Sequence, residues 1–213
     1  PLQAAPPPVE QRKTVTIVFS DLKGSTALGE QLDPETLRAV MTRSFDAMKA
    51  ELLRHGGTID KFIGDAIMAV FGMPVVHEDD ALRAVRAADG MRGALERLNQ
   101  ELEQTVGVRL TNRTGVNTGE VLVGAMRAAG SVTAMGDVVN TASRLQTAAN
   151  PGEVLVGPAT HEATADAIAY EERGLLAAKG REEPVATWRA LAPTLPPGYR
   201  SRRNDVPLVG RDD

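Results

Sequence analysis

The stretch that most constrains this chain is Thr14 to Thr26, TVTIVFSDLKGST. Val15, Ile17, Val18 and Phe19 are the β-branched and aromatic residues of a buried strand, and Asp21 stands where that strand ends. From Leu22 onward, Gly24, Ser25 and Thr26 can turn backbone N–H groups toward an anion. A strand that delivers a carboxylate to such a turn suits a metal and a phosphate. As an isolated pattern it suits even better a strand whose terminal acid caps the next turn, so other stretches must decide.

Composition removes several classes. The 213 residues allow one good-sized domain with its own core. A net charge of -4 argues against a general nucleic-acid surface, and 3% aromatic residues leave few stacking platforms for single strands. With no cysteine and only His55, His77 and His161, widely spread, disulfides, thiolate sites and zinc sites drop out, so any metal should be oxygen-ligated. No apolar run approaches the ~18 residues of a membrane span. The N-terminus carries Pro6, Pro7 and Pro8 in place of a signal segment, and the chain reads as cytoplasmic.

Residues 1–12 are rich in Pro and Ala and read as a linker; the domain is expected over 13–191. Asp33-Pro34-Glu35 starts a helix whose apolar face is Leu37, Val40, Met41, Phe45, Met48, Leu52 and Leu53, and His55-Gly56-Gly57 stops it. Thr58 to Phe71 reads as a hairpin turning at Ile63-Gly64-Asp65. A second helix from Asp79 or Asp80 points Leu82, Val85, Met91, Leu95 and Leu98 inward, weakened by Gly90 and Gly93. Val106 to Ala125 reads as a further hairpin about Asn117-Thr118-Gly119. Helical VVNTASRL, a strand at Val154 to Val156, a short helix from Pro158 and a strand pair ending at Val185 to Ala190 complete the domain. This order predicts an α+β sandwich, with helices on one face of a mostly antiparallel sheet. The tail, 192–213, ends in VPLVGRDD, a new apolar onset.

Asp21 at a strand end and Asp65 at a hairpin tip meet at one sheet edge if their strands are neighbours. Two such acids can bridge two divalent cations, Mg²⁺ or Mn²⁺, with the Leu22–Thr26 turn cradling phosphates. A plain Gly-Asp turn accounts for Asp65 equally well. Asn140 and Arg144, four apart on a helix, share one face; Arg144 suits a phosphate and Asn140 a ribose, although an ordinary exposed polar face fits the pair better when it is taken alone.

Taken in order, FSDLKGST, KFIGDAI, RTGVNTGEVLVG and GDVVNTASR resemble the motifs of the class III nucleotide cyclase catalytic domain, from about Lys13 to Ala190. The resemblance implies a ferredoxin-like βαββαβ sandwich with additional C-terminal strands and a helix. It implies Asp21 and Asp65 as metal ligands with the Leu22 carbonyl assisting, Lys61 and Thr133 as adenine readers, Asn140 as ribose orienter and Arg144 as phosphate stabiliser. Thr133 stands where the commonest pattern has Asp, and is similar to a branch of bacterial and soluble animal cyclases. Residues 124–132 are short for the family's dimerisation arm, and Lys179 or Arg181 falls where the family can place a cation on the leaving phosphates. The closing VPLVGRDD resembles the start of an ATPase-like regulatory module.

The resemblance thus implies an adenylyl cyclase acting on ATP with two divalent cations, its sites shared between two chains of a head-to-tail homodimer. The chief rival is a nucleotide-binding sensor that controls a downstream module without chemistry. A diguanylate cyclase ranks lower, because Ile63-Gly64-Asp65-Ala66 replaces that family's acidic Gly-Gly signature. A plain α+β interaction domain is the remaining alternative.

Overall fold

The computed structural model describes residues 11–123, 137–176 and 184–193. Thr133, Lys179, Arg181, the short arm at 124–132 and both proposed linkers except Gln11, Arg12, Ala192 and Pro193 lie outside the described residues.

Strand β1 (Gln11–Lys23) leads through a short helix α1 (Ser25–Gln31) into helix α2 (Pro34–Arg54). The hairpin β2 (Thr58–Ile63) and β3 (Ala66–Phe71) comes next, then helix α3 (Asp80–Thr105), strand β4 (Thr111–Val123) and helix α4 (Asp137–Ala148). Strand β5 (Val154–Val156), helix α5 (Pro158–Thr164), β6 (Ile168–Leu176) and β7 (Val185–Pro193) end the described chain. The seven strands form one sheet in the order β2-β3-β1-β4-β5-β7-β6, with β5 parallel to β4 and the other neighbours antiparallel. Its first four strands with α2 and α3 make the ferredoxin-like βαββαβ unit.

Local chemistry accounts for the helix ends. Asp33 caps α2 by accepting from the Thr36 N–H at 2.9 Å, Pro34 takes the first turn where no N–H is needed, and Gly56 at φ 86 lets the chain leave. Helix α3 runs unbroken through Gly90. There the absent side chain makes room for Glu51 of α2, whose Oε2 would stand 2.8 Å from a Cβ. Val85, Met91 and Leu95 are buried and Leu82 and Leu98 partly so, as helical spacing predicts. Leu53 departs from its prediction: it is 50% exposed, while its neighbour Leu52 takes the core position.

Alternation along the central strand β1 divides the core. Val18 and Leu22, with Ile67, Ala69 and Phe71 of β3, face α2 and α3, whereas Val15, Ile17 and Phe19, with Met68 and Val70, face the other way. Val138 and Ala142 of α4 pack on that second face, so the expected single helical layer is in fact two layers, one on each side of the sheet.

The hairpin expected about Asn117-Thr118-Gly119 is absent. Residues Thr111–Val123 form one strand paired along all of β1, from Thr111 opposite Lys23 to Val123 opposite Gln11. Its turn-forming residues serve the packing of α4 instead. A Cβ on Gly119 would lie 2.7 Å from Val138 Cγ2, and Asn117 Nδ2 donates to the Val138 carbonyl at 3.1 Å. Among the described residues, no helix is long and apolar enough to cross a membrane.

Candidate active site

Strand β1 delivers Asp21 beside the β2–β3 turn that carries Asp65. Asp21 pairs in register with Ala66, and the Leu22 N–H donates to the Asp65 carbonyl at 3.1 Å. The neighbouring-strand arrangement inferred from sequence therefore holds. The Leu22 side chain is sunk in the core at 1% exposure. Gly24, at φ 92, turns the chain into α1, a helix that sequence patterning does not reveal. Thr26 lies in its first turn.

Ser25, first residue of α1, gathers two of the expected ligand oxygens. Its hydroxyl donates to Asp65 Oδ2 at 2.5 Å and lies 3.4 Å from the Leu22 carbonyl oxygen. The two carboxyl groups interact directly. Burial pushes the Asp21 carboxyl above its usual range against the pull of Arg113, and Asp65 adds to the rise; the Ser25 hydroxyl holds Asp65 below its usual range.

Arg113 opens the RTGVNTGEVLVG motif but is not among the expected site residues, and it sits directly across the β1–β4 ladder from Asp21. Its Nε and Nη2 donate to Asp21 Oδ2 at 3.0 and 2.8 Å, and Nη1 donates to the Thr147 carbonyl at 3.2 Å. Gln146 Nε2 of α4 donates to the same Oδ2 at 3.2 Å. The signal that could reveal this cluster is the β1–β4 register, which a hairpin at residues 117–119 would conceal.

Lys61 stands just beyond an irregularity in β2, where pairing passes from Ile59–Ala69 to Lys61–Met68 and leaves Asp60 extra. The bulge seals the Asp60 side chain to 2% exposure and brings Lys61 Nζ within 3.2 Å of its Oδ2. Cross-strand partners share a face, so the row Phe19, Met68, Lys61 places Lys61 on the same side of the sheet as Asp21 and α4.

Asn140 and Arg144 both lie on α4. The helix buries Val138, Thr141, Ala142, Leu145 and Gln146. At 3.6 residues per turn, Asn140 and Arg144 fall opposite that face, with Asn140 exposed and Arg144 half-buried.

Among the described residues, no group of three or more His, Asp or Glu is placed to hold a metal unaided. The acid pair fits a divalent cation nonetheless. Two interacting carboxyl groups beside a backbone carbonyl form an all-oxygen donor set, and Mg²⁺ ordinarily takes one or two carboxylates, completing its shell with water and substrate phosphates.

Comparison with known proteins agrees with this architecture. The model of the adenylate and guanylate cyclase catalytic domain matches residues 8–190. Adenylate cyclase 1 of Rhizobium meliloti (strain 1021) is 32% identical over 174 residues, which cover 80% of this chain and 26% of that protein. The solved adenylyl cyclase CyaB from P. aeruginosa superposes with a TM-score of 0.81 at 36% identity, over 86% of this chain and 96% of that one. The guanylyl cyclase Cya2 superposes with a TM-score of 0.82 at 34% identity, over 88% and 96%. The chain spans between a fifth and about a third of the length of the first curated relatives it matches. With the family's domain matched over residues 8–190 and the fold superposing on solved cyclases at 34% and 36% identity, the chain belongs to the class III adenylate and guanylate cyclase catalytic domain family.

Proposed function

We propose that the domain is an adenylyl cyclase, converting ATP to 3′,5′-cyclic AMP and pyrophosphate. The observation that carries the reading is the convergence of Asp21, the Leu22 carbonyl and Asp65 about Ser25, with Lys61 on the same face. The ribose 3′-oxygen attacks the α-phosphorus, an O–P bond forms in line with the breaking bond to pyrophosphate, and the hydroxyl proton passes to Asp21 or water. Asp21, Asp65 and the Leu22 carbonyl would hold two divalent cations, Mg²⁺ or Mn²⁺, which when bound would acidify the 3′-hydroxyl and neutralise phosphate charge.

The chain's own residues bind and orient. Gly24, Ser25 and Thr26 receive phosphate oxygens, and Lys179 attracts the departing pyrophosphate. Lys61 donates to adenine N1 and Thr133 accepts from the exocyclic amine. Guanine presents the reverse pattern at N1, which is why Lys61 favours ATP although Cya2 is a guanylyl cyclase. Asn140 orients the ribose and Arg144 meets the charge that grows on the transferring phosphate.

The outward face of α4 supports a head-to-tail homodimer, in which Asn140 and Arg144 of one chain complete the acid pair of the other. An ATPase-like module downstream and a cytoplasmic setting fit the same reading. The test is product formation with Mn²⁺ from ATP and, separately, GTP. Cyclic AMP as the preferred product supports the assignment; cyclic GMP as the preferred product would reverse it, and no product from either would favour a nucleotide-binding sensor.

A further inference from the structure

Strand β2 breaks its own alternation at one point. Ile59 packs on the core beneath α2 and α3, and Phe62, three residues on, pairs with Ile67 of the same core and meets Phe45 of α2 edge to face at 5.4 Å. A regular strand would send only one of the two there. The register shift between Ile59 and Lys61 makes both possible, and it brings together two consecutive side chains, Asp60 and Lys61, that alternation would hold on opposite faces. Asp60 is thereby enclosed to 2% side-chain exposure, and among the described residues no donor meets its Oδ2 in hydrogen-bond geometry. The cation beside that oxygen is the Lys61 ammonium at 3.2 Å, on a side chain that stays 41% exposed.

The geometry points to Asp60 as a positioning residue for purine selection: its enclosed carboxylate tethers the Lys61 ammonium where it meets the base edge of the nucleotide. This rests on the proposed role of Lys61 as a base reader. Stability does not explain the arrangement. Enclosing a carboxylate is costly, and a lysine still in contact with water, its attraction screened, offsets little of that cost. Orientation does explain it. A lysine has a flexible four-carbon stem with many rotamers when free, and a fixed anion beside Nζ narrows them. The ammonium carries three protons, so one can stay directed at Asp60 while another is given to an acceptor such as adenine N1. Guanine presents a proton at N1 instead, and a tethered donor cannot withdraw from that clash. An untethered lysine can, so discrimination depends on the tether.

Equilibrium binding of 3′-deoxy-ATP and 3′-deoxy-GTP with Mn²⁺, read by calorimetry, tests this without turnover, because the attacking oxygen is absent. Wild type should prefer the adenine nucleotide. Asp60→Leu, close in shape but without charge, should shrink that preference by about 10-fold. Asp60→Asn should shrink it in the same direction and by less, since its amide oxygen still accepts; should Asp60→Leu fail to fold, Asp60→Asn carries the test. Thermal melting should find Asp60→Leu as stable as wild type or more so, as when a buried charge gives way to an apolar group. A merely structural Asp60 would show the opposite, lower stability with the preference intact, and that result would overturn the inference. Lys61→Met separates the two readings. If it abolishes the preference while the Asp60 variants keep it, only the tether falls; if it leaves the preference intact, base reading by Lys61 falls first and the tether with it. Added to Lys61→Met, Asp60→Leu should change the preference no further, and a second loss of similar size would show that Asp60 does not act through Lys61.

Discussion

Gly115 on β4 faces Ala142 of α4 so closely that a Cβ on the glycine would stand 2.1 Å from the Ala142 carbonyl oxygen and 2.4 Å from the Gln146 nitrogen. Both obstacles are backbone, so neither can rotate away. Gly115→Ala should cost about 1–3 kcal/mol or more in urea unfolding, through displacement of α4. Gly93→Ala is the contrast: its Cβ meets nothing nearer than the flexible end of Arg97 at 3.5 Å, so it should stabilise α3 by about 0.5–1 kcal/mol. Equal stability of the two variants would contradict the packing described.

Asp65→Ala removes one carboxyl of the proposed metal pair and the acceptor for Ser25. Product formation should fall by at least about 10²-fold, as for loss of a group that stabilises transition-state charge, while thermal stability changes little because Asp65 lies in a turn. Retained turnover in a folded variant would remove Asp65 from the metal site.

Lys61→Glu exchanges a donor for an acceptor at the proposed base edge. The ratio of kcat/KM for ATP over GTP should then drop by about 10- to 100-fold, since a buried mismatch of polar groups costs a few kcal/mol. No change in that ratio would mean that Lys61 reads something other than the base, with Asp60, its ion-pair partner, as the first alternative to examine.

Complementation tests the proposed sharing of each site between two chains. Asp65→Ala and Arg144→Ala chains should each be inactive alone, yet an equal mixture should recover about a quarter of wild-type activity, because half the dimers are mixed and each mixed dimer has one intact site. A mixture no better than its parts would argue against sites shared between chains.

Glu153 offers a pH-dependent check on the far end of the sheet. It accepts from the Asn150 N–H at 3.0 Å and pairs with Arg173 and Arg189, each at 3.3 Å. Burial pushes its carboxyl up, but the Asn150 bond and the two arginines outweigh burial and hold it below the ordinary 4.5. A carboxylate with a depressed folded-state pKa adds stability above its unfolded value, and that stability is lost as pH falls through the folded value. Glu153→Gln should therefore cost about 1 kcal/mol at neutral pH, with the gap to wild type closing in acid. A gap that does not shrink in acid would contradict the assignment.

Elements with strong local signals are legible in the sequence. The Asp33-Pro34 start of α2, the periodic face of α3 and the β2–β3 turn each arise from neighbours within a few residues. The same local logic fails at Asn117 and Gly119, whose turn-like chemistry answers to Val138, a residue that contacts them only through the tertiary fold. Asp21, Leu22 and Asp65 stand out because they sit in distinctive motifs. Arg113 opens the RTGVNTGEVLVG motif, yet its pairing with Asp21 lies in a cross-strand register that no single stretch of sequence displays.

The outward face of α4 bears on how such a domain would be switched. If neither half-site is completed within one chain, turnover per molecule vanishes on dilution, and output depends on how often two copies meet. Any flanking segment that tethers two copies raises their effective concentration toward the millimolar range without altering one residue of the site. Control of this chemistry then needs no allosteric path through the core, only a change in the distance between neighbours.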